Sequence, residues 1–498
     1  MRTKRYNRLT SYILTVALMA TTLLSGCSKE AAGDTAASSD TIVLRVSNWE
    51  EYIDEGDELE GTPSIIDDFE KAYYEETGKK VKVEYSTFGT NEDLYHRISI
   101  GDRFDLVCPS EYMIMKLMDE DMVLAYPSSF YDKENEENAY VNNISPYIEK
   151  RLEALTINDK KLSDYAAGYM WGTLGFVYNP EEVAEEDVDD WDFMVNKKYN
   201  RRITTKDSVR DCYFAAMGML TSDLVSSPAF KEDPDYETKL SDELNDTSKA
   251  TVDKVEKVLT DVKENVYAFE TDSGKADLVT GKVLSNLQWS GDAVYSMEQA
   301  EEEGVTLYYS VPESSTNLWF DGWVMLKDGI LENTGVTLPS KGDRKTDRIA
   351  EESVVAKAKI DAATAFVNFL SRPENAVRNM DYIGYTSVIS GEVGGDIEEY
   401  VRECYEVSDE ETTDEEADAE EDSEDSEELI PYDISYFFGE PEGTVEIMSD
   451  EDSTKGMLFA QYPTEDVIKR SVVMAFFPPE DNARVSRMWI NVRCADFF

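Results

Sequence analysis

The sequence predicts an α/β fold, with sheets flanked by helices and a ligand site at the strand ends. Three observations point to it. From Thr41 onward, β-branched apolar runs alternate with segments of helical spacing. At 41% hydrophobic and 11% aromatic, the 498-residue chain can bury full cores, and its length suggests roughly two to three domains. Aromatic and acidic side chains recur together just beyond the apolar runs, where open α/β sheets hold their ligands.

Element by element, TIVLRVSNW from residue 41 reads as a buried strand running into a polar-aromatic loop. SIIDDFEKAYYEET (64–77) carries apolar residues at helical spacing, with Ser64 as cap and Gly78 as stop. KVKVEYSTF alternates as a strand, NEDLYHRISIG is a helix, and FDLVCPS is a strand leading into the helix EYMIMKLMDEDMV. YAAGYMWGTLGFVYNP has too many small residues for a helix and reads as extended crossing segments. RRITTKDSVRDCYFAAMGML is strand, turn and helix; the stretch from about 230 to 265 is charged and helical. VLSNLQWSGDAVYSMEQA is strand, loop and helix, and VTLYYSVPESSTNLWFDGWVML is two strands around a turn. FVNFLSRPENAVRNMDYIGYTS is a helix, a short break and a further helix or loop. AQYPTEDVIKRSVVM and DNARVSRMWINVRC read as closing helices. Residues 327–352 read as a polar loop insertion. Residues 403–428 hold sixteen acidic and no basic side chains, too polar to offset the entropy of ordering, and are expected to be disordered.

The N-terminus predicts destination. MRTKRYNR is a basic leader, LTSYILTVALMATTLL an apolar stretch of signal-peptide length, and Leu24-Ser25-Gly26-Cys27 resembles the lipobox of bacterial lipoproteins. Residues 1–26 are thus expected to be a lipoprotein signal peptide. The resemblance implies that Cys27 carries a lipid and becomes the new N-terminus, with 27–40 as a flexible tether. The chain is expected to be extracytoplasmic and lipid-anchored to the cell membrane.

Composition narrows the partners. The 48 basic and 105 acidic residues give a net charge of −57, which disfavours nucleic acid and an anionic lipid surface and leaves cations, or no partner at all, since charge also serves solubility. One histidine, His96, and no CxxC spacing exclude a zinc site and a Ser-His-Asp triad. No cofactor or metal is expected. Cys108, Cys212, Cys404 and Cys494 are expected to be buried thiols, with one long-range disulfide as the alternative in an exported protein.

Trp49, Glu51 and Tyr52 follow the first strand; Ser110 and Tyr112 follow another, Trp289 a third, and Trp319 with Asp321 a fourth. Asp207, Arg210 and Asp211 open a helix after RRIT. Singly, such aromatics are most often core, and such acids most often helix caps. If the strands are parallel and share an edge, the side chains converge on one crevice with aromatic walls and acidic points. That chemistry suits an elongated organic cation: each ammonium gains roughly 0.5–2 kcal/mol on a Trp or Tyr face and a charge-assisted hydrogen bond from a carboxylate.

NWEEYI (48–53), STFGTNEDLY (86–95), FDLVCPSEYMIMKL (104–117), GYMWGTLGFVYNP (168–180), DSVRD (207–211), LQWSGDAVYS (287–296), WFDGWVML (319–326) and FVNFLSRPENAVRNMDYIGYTS (366–387) resemble, in order, the bacterial spermidine/putrescine-binding proteins of polyamine ABC transporters. The resemblance implies a two-lobed periplasmic-binding-protein fold of type II, each lobe a mixed sheet flanked by helices, with the ligand between lobes. Lobe 1 would span 41–170 and return over 319–402, lobe 2 would span 171–318, and 429–498 would form a C-terminal helical segment. It further implies roles for matching residues. Trp49, Tyr52 and Tyr112 are wall aromatics with Ser110 a polar contact, and Glu51 meets one amine end. Trp289 and Trp319 sandwich the aliphatic chain, Tyr385 adds a contact, Asp321 faces an inner amine, and Asp211 stands near the other end. The partners implied are a polyamine and permease subunits.

There are departures. Where some members carry two adjacent aspartates, this chain has Asp207 and Ser208, which bears on length selectivity. Glu50 and Glu111 stand where relatives can have neutral residues and are expected to face solvent. Trp489 is not assigned to the site. The rival readings are the same fold with another organic cation, a sugar or a ferric complex as cargo, and more remotely a carboxylate-dependent glycosidase.

Overall fold

The computed structural model describes residues 41–57, 61–271, 273–336, 346–407 and 429–494. The expected signal peptide, Cys27 and the tether lie outside the described residues, as does the acidic insert from 408 to 428.

The strands in chain order are β1 (Thr41–Trp49), β2 (Lys80–Phe88), β3 (Leu106–Val107), β4 (Val123–Leu124), β5 (Thr156–Ile157) and β6 (Lys160–Lys161). Next come β7 (Ala166–Tyr178), β8 (Ile203–Lys206), β9 (Ala268–Glu270), β10 (Ser285–Trp289) and β11 (Tyr308–Ser310). The last are β12 (Thr316–Leu326), β13 (Thr386–Ser387), β14 (Ile430–Asp433), β15 (Glu446–Ser449) and β16 (Ser471–Val472). The main sheet runs β2-β1-β3-β12-β7-β10-β8-β9. β1 is parallel to β2 and β3, whereas β12 runs antiparallel to both β3 and β7. β7 is antiparallel to β10, and β10, β8 and β9 are parallel. The sheet is mixed, so the aromatic and acidic residues do not all stand at the ends of parallel strands: Trp319 and Asp321 lie inside β12.

β7 and β12 form the spine. All thirteen residues of β7 and all eleven of β12 are buried, the condition under which strands read as unbroken apolar runs. The core divides across them. One part gathers side chains from Leu44 to Trp171 and again from Leu318 to Ile468. The other takes Leu174 to Leu287 and returns from Val472 to Val492. A smaller cluster lies against the helix Ser290–Glu302.

Local chemistry accounts for the expected helices. Ser64 Oγ accepts from Asp67 N at 3.1 Å and Gly78 closes the helix Ile65–Thr77 at φ 70°. The helix Asn91–Ile100 is capped by Thr90 in the same way.

Five expectations are corrected. Residues 327–352 are not simply loop: Lys327–Ile330 and Thr346–Glu352 are helical, anchored by the fully buried Ile330 and Ile349. Two apolar residues far apart in a charged stretch leave no visible period. The acidic stretch begins as structure: the helix Asp396–Tyr405 runs into it, and the Tyr405 hydroxyl donates to Gln461 Oε1 at 2.6 Å. AQYPTEDVIKRSVVM is not one helix, because Pro463 separates Met457–Gln461 from Glu465–Lys469 and β16 follows. The segment from 429 is not wholly helical, since β14 and β15 pair antiparallel; the helix Pro479–Cys494 is as expected. No loop separates β10 from the helix Ser290–Glu302. Among the described residues no disulfide joins the cysteines; Cys108 and Cys212 are buried and Cys404 and Cys494 partly so.

Candidate ligand-binding site

The site is built on a fault in the spine. Register along β12 and β7 shifts between Phe320 and Gly322, and Asp321 drops out of the ladder to form an isolated bridge with Ser110. Bulges of this kind re-aim a side chain. Asp321 is 5% exposed, and its Oδ2 accepts from the Tyr52 hydroxyl at 2.8 Å. Its Oδ1 is buried with no hydrogen-bond partner among the described residues. Burial pushes the Asp321 carboxyl up to about 7, against the pull of the Ser110 and Tyr52 hydroxyls.

Glu111 lies beside it. The expectation of solvent exposure fails: this first residue of the helix Glu111–Asp119 is 1% exposed, and its Oε2 accepts from Phe320 N at 3.2 Å. Burial, reinforced by the charge of Asp321, raises its carboxyl to about 8. Ser110 ends the preceding strand–turn and so turns this carboxyl inward. Glu50, by contrast, is exposed.

Aromatic rings wall this end. Tyr385 stands edge-on to Tyr52, centroids 5.0 Å apart, and 5.8 Å from Trp319. The Trp319 indole donates to Thr173 O at 3.1 Å. Two glycines make the room: a Cβ on Gly172, opposite Trp319 in register, would strike Ser290 Oγ and the Trp319 ring, and one on Gly291 would strike the Tyr385 ring.

A second cluster adjoins the first through Tyr385, whose hydroxyl donates to Asp292 Oδ1 at 2.9 Å. Asp292 also pairs with Lys206 at 2.9 Å and Lys275 at 2.8 Å. Burial opposes its ionisation, but the two ammoniums hold its carboxyl well below the usual range. Lys206 Nζ lies 4.0 Å from the Trp289 ring centroid, and the Trp289 indole donates to Asp211 Oδ1 at 3.1 Å. Burial raises the Asp211 carboxyl. Arg210 sits over the rings of Tyr112 (4.4 Å) and Phe477 (3.7 Å) and donates to Ala475 O. Tyr112 in turn accepts from Asn91 Nδ2 at 2.9 Å, and the same amide reaches Ser110 Oγ at 3.0 Å.

Thus Tyr52, Ser110, Trp319, Asp321 and Tyr385 come together, and Trp289 meets Asp211 beside Tyr112 and Arg210. Two residues stand apart from these contacts. Glu51 is exposed at φ 50°, and Trp49 packs on Phe88 at 4.8 Å. Ser208, in place of an acid, caps the helix Val209–Val225 by accepting from Asp211 N, while Asp207 pairs with Arg493 at 3.1 Å. Trp489 packs on Phe269 at 5.4 Å. Sequence reasoning missed Lys206, Lys275 and Asp292; a lysine at the end of β8 and an aspartate in the first turn of a helix look like ordinary surface charges.

A buried acid whose Oδ1 has no partner among the described residues, rings around it and a bulge beside it make a candidate site for a small solute. The comparisons agree on the class. The model of the family described as bacterial extracellular solute-binding proteins matches residues 64–330, and the chain belongs to that family. It is 25% identical over 363 residues to a putrescine-binding periplasmic protein of Pseudomonas aeruginosa, covering 70% of this chain and 79% of that one. It is 24% identical over 352 residues to a spermidine/putrescine-binding periplasmic protein of Salmonella typhimurium, covering 70% and 78%. The crystal structure of a spermidine/putrescine ABC transporter substrate-binding protein from Streptococcus pneumoniae, in complex with calcium and HEPES, superposes with a TM-score of 0.55 at 22% identity, covering 91% of this chain and 98% of that one. The fold is that of the two-lobed periplasmic binding proteins.

Proposed function

We propose that this protein is a polyamine receptor: it captures spermidine or putrescine outside the cytoplasm and passes it to the permease of an ABC transporter. The observation that carries the reading is Asp321 Oδ1, a buried acceptor without a partner among the described residues, on a carboxylate held by Tyr52, whose ring adjoins Tyr385 and, through it, Trp319. An ammonium supplies the missing donor and the missing charge at once. The names of the similar proteins support the same cargo. Trp319 holds the methylene chain, Ser110, Tyr52 and Tyr385 line it, and Trp289 with Tyr112 and Asp211 bounds the other end, while Trp49 and Glu51 stand outside these contacts. The segments 41–170 and 319–402 act as one lobe and 171–318 as the other, closing on the ligand by hinge motion. Binding is the whole task, with no bond made or broken.

Calorimetric titration of the mature chain with putrescine and spermidine is expected to give saturable heat. Asp321→Ala is expected to weaken binding by about 2–5 kcal/mol, the range for leaving a buried charge unpaired. Absence of heat with every di- and triamine overturns the reading. We further propose that Cys27 bears the lipid; radioactive fatty acid fed to cells should label the protein, and Cys27→Ser should abolish the label. Persistent labelling of that variant excludes Cys27 as the anchor.

A further inference from the structure

The geometry points to Lys206 as an internal ammonium that fills the seat formed by Trp289 and Asp292, closing one end of the cleft and restricting the cargo to short diamines; this rests on the polyamine reading and deepens it. The Lys206 side chain is 1% exposed. Its ammonium makes the two contacts that a ligand amine would seek here. It lies 4.0 Å over the Trp289 ring and 2.9 Å from Asp292 Oδ2. The seat is full in charge as well as in space, because Lys275 takes the other Asp292 oxygen at 2.8 Å.

The two ends of the site differ accordingly. Around Trp289, the acids already face cations: Asp292 pairs with Lys206 and Lys275, and Asp211 lies near Lys206 and Arg210. Around Tyr52, neither Asp321 nor Glu111 makes an ion pair among the described residues, and Asp321 Oδ1 lacks a donor. The demand for a cation is therefore confined to the Asp321 end. An amine chain anchored there and extended past Tyr385 meets the Lys206 ammonium where a third nitrogen would rest. Like charge and an occupied ring face exclude that nitrogen. Lys206 is in this sense a specificity residue acting by direct occupation, and Tyr385, hydrogen-bonded to Asp292, marks the boundary between the two ends.

The test is a titration series on the whole mature chain with 1,3-diaminopropane, 1,4-diaminobutane, 1,5-diaminopentane, spermidine and γ-aminobutyrate. The series is run on the wild type, Lys206→Ala and Lys206→Arg, with melting curves for each. The wild type is expected to bind at least one diamine tenfold or more tightly than spermidine. Lys206→Ala should shift that ratio toward spermidine by at least tenfold, and Lys206→Arg should keep it. Equal wild-type affinity for spermidine and the best diamine overturns the proposal while leaving the polyamine reading standing, and this result decides even if Lys206→Ala does not fold. A folded Lys206→Ala with an unchanged ratio also overturns it. Tighter binding of γ-aminobutyrate than of any diamine overturns it in favour of a carboxylate seat at Lys206. No binding of any amine removes the polyamine reading itself.

Discussion

At the scale of single residues, Asp321 and Glu111 set the electrostatics of the proposed site. Burial raises them to about 7 and about 8, against ordinary values of 3.8 and 4.5. An ammonium favours the ionised form, so binding pulls both values down and releases protons. Affinity is therefore expected to rise with pH between about 6 and 8. Titrations in buffers of different ionisation heat measure the protons released; zero release at pH 7 contradicts the assignment. The apo chain has the opposite slope. With folded values above the unfolded ones, it holds protons more tightly than the unfolded chain from about pH 4 upward, so these two groups cost it stability as pH rises to about 8. Part of this was legible in the sequence. Asp321 interrupts the apolar run WFDGWV, and an acid amid buried strand residues signals a function. Glu111 gave no such sign, because an acid in a first helical turn normally faces water. Its burial follows from the β12 bulge, which brings Phe320 N within reach. Lys206 and Asp292 were illegible for a related reason: their partnership spans 86 positions and no local pattern records it.

At the scale of elements, the strands and helices with strong local signals appear where the pattern put them, with Ser64, Thr90 and Gly78 as their punctuation. Failures cluster where one or two buried residues anchor an otherwise polar stretch, as at Ile330 and Ile349, or where proline cuts a helical period, as at Pro463. The β7–β12 ladder carries the tightest constraint. Gly172→Ala forces a methyl against Ser290 and Trp319, and overpacking of this kind costs about 1–3 kcal/mol. A lower melting temperature together with weaker polyamine binding is the expected outcome. An unchanged affinity would mean that Trp319 does not need its present position to hold the ligand.

At the scale of the whole molecule, the net charge of −57 separates into parts with different duties. Four buried acids, Glu111, Asp211, Asp292 and Asp321, lie in the proposed site. The sixteen acids of residues 403–428 are far more numerous, but recognition in the reading above needs none of them. Deleting 408–428, which spares the helix ending at Tyr405 and the contact of Val407 N with Met448 O, is expected to leave affinity within about threefold at physiological salt. A tenfold loss in calorimetry would bring the insert into capture.

The shared spine also bears on how such a chain comes into being. Both cores use β7, and the first waits for its partner β12, whose pairing closes a loop of well over a hundred residues. The second core waits longer still, for Val472 to Val492 near the end of the chain. Contacts so distant in sequence form slowly. Neither half can thus close its core before the chain has been made past Ile468. For an extracytoplasmic protein, such late locking favours passage through a membrane in an unfolded state.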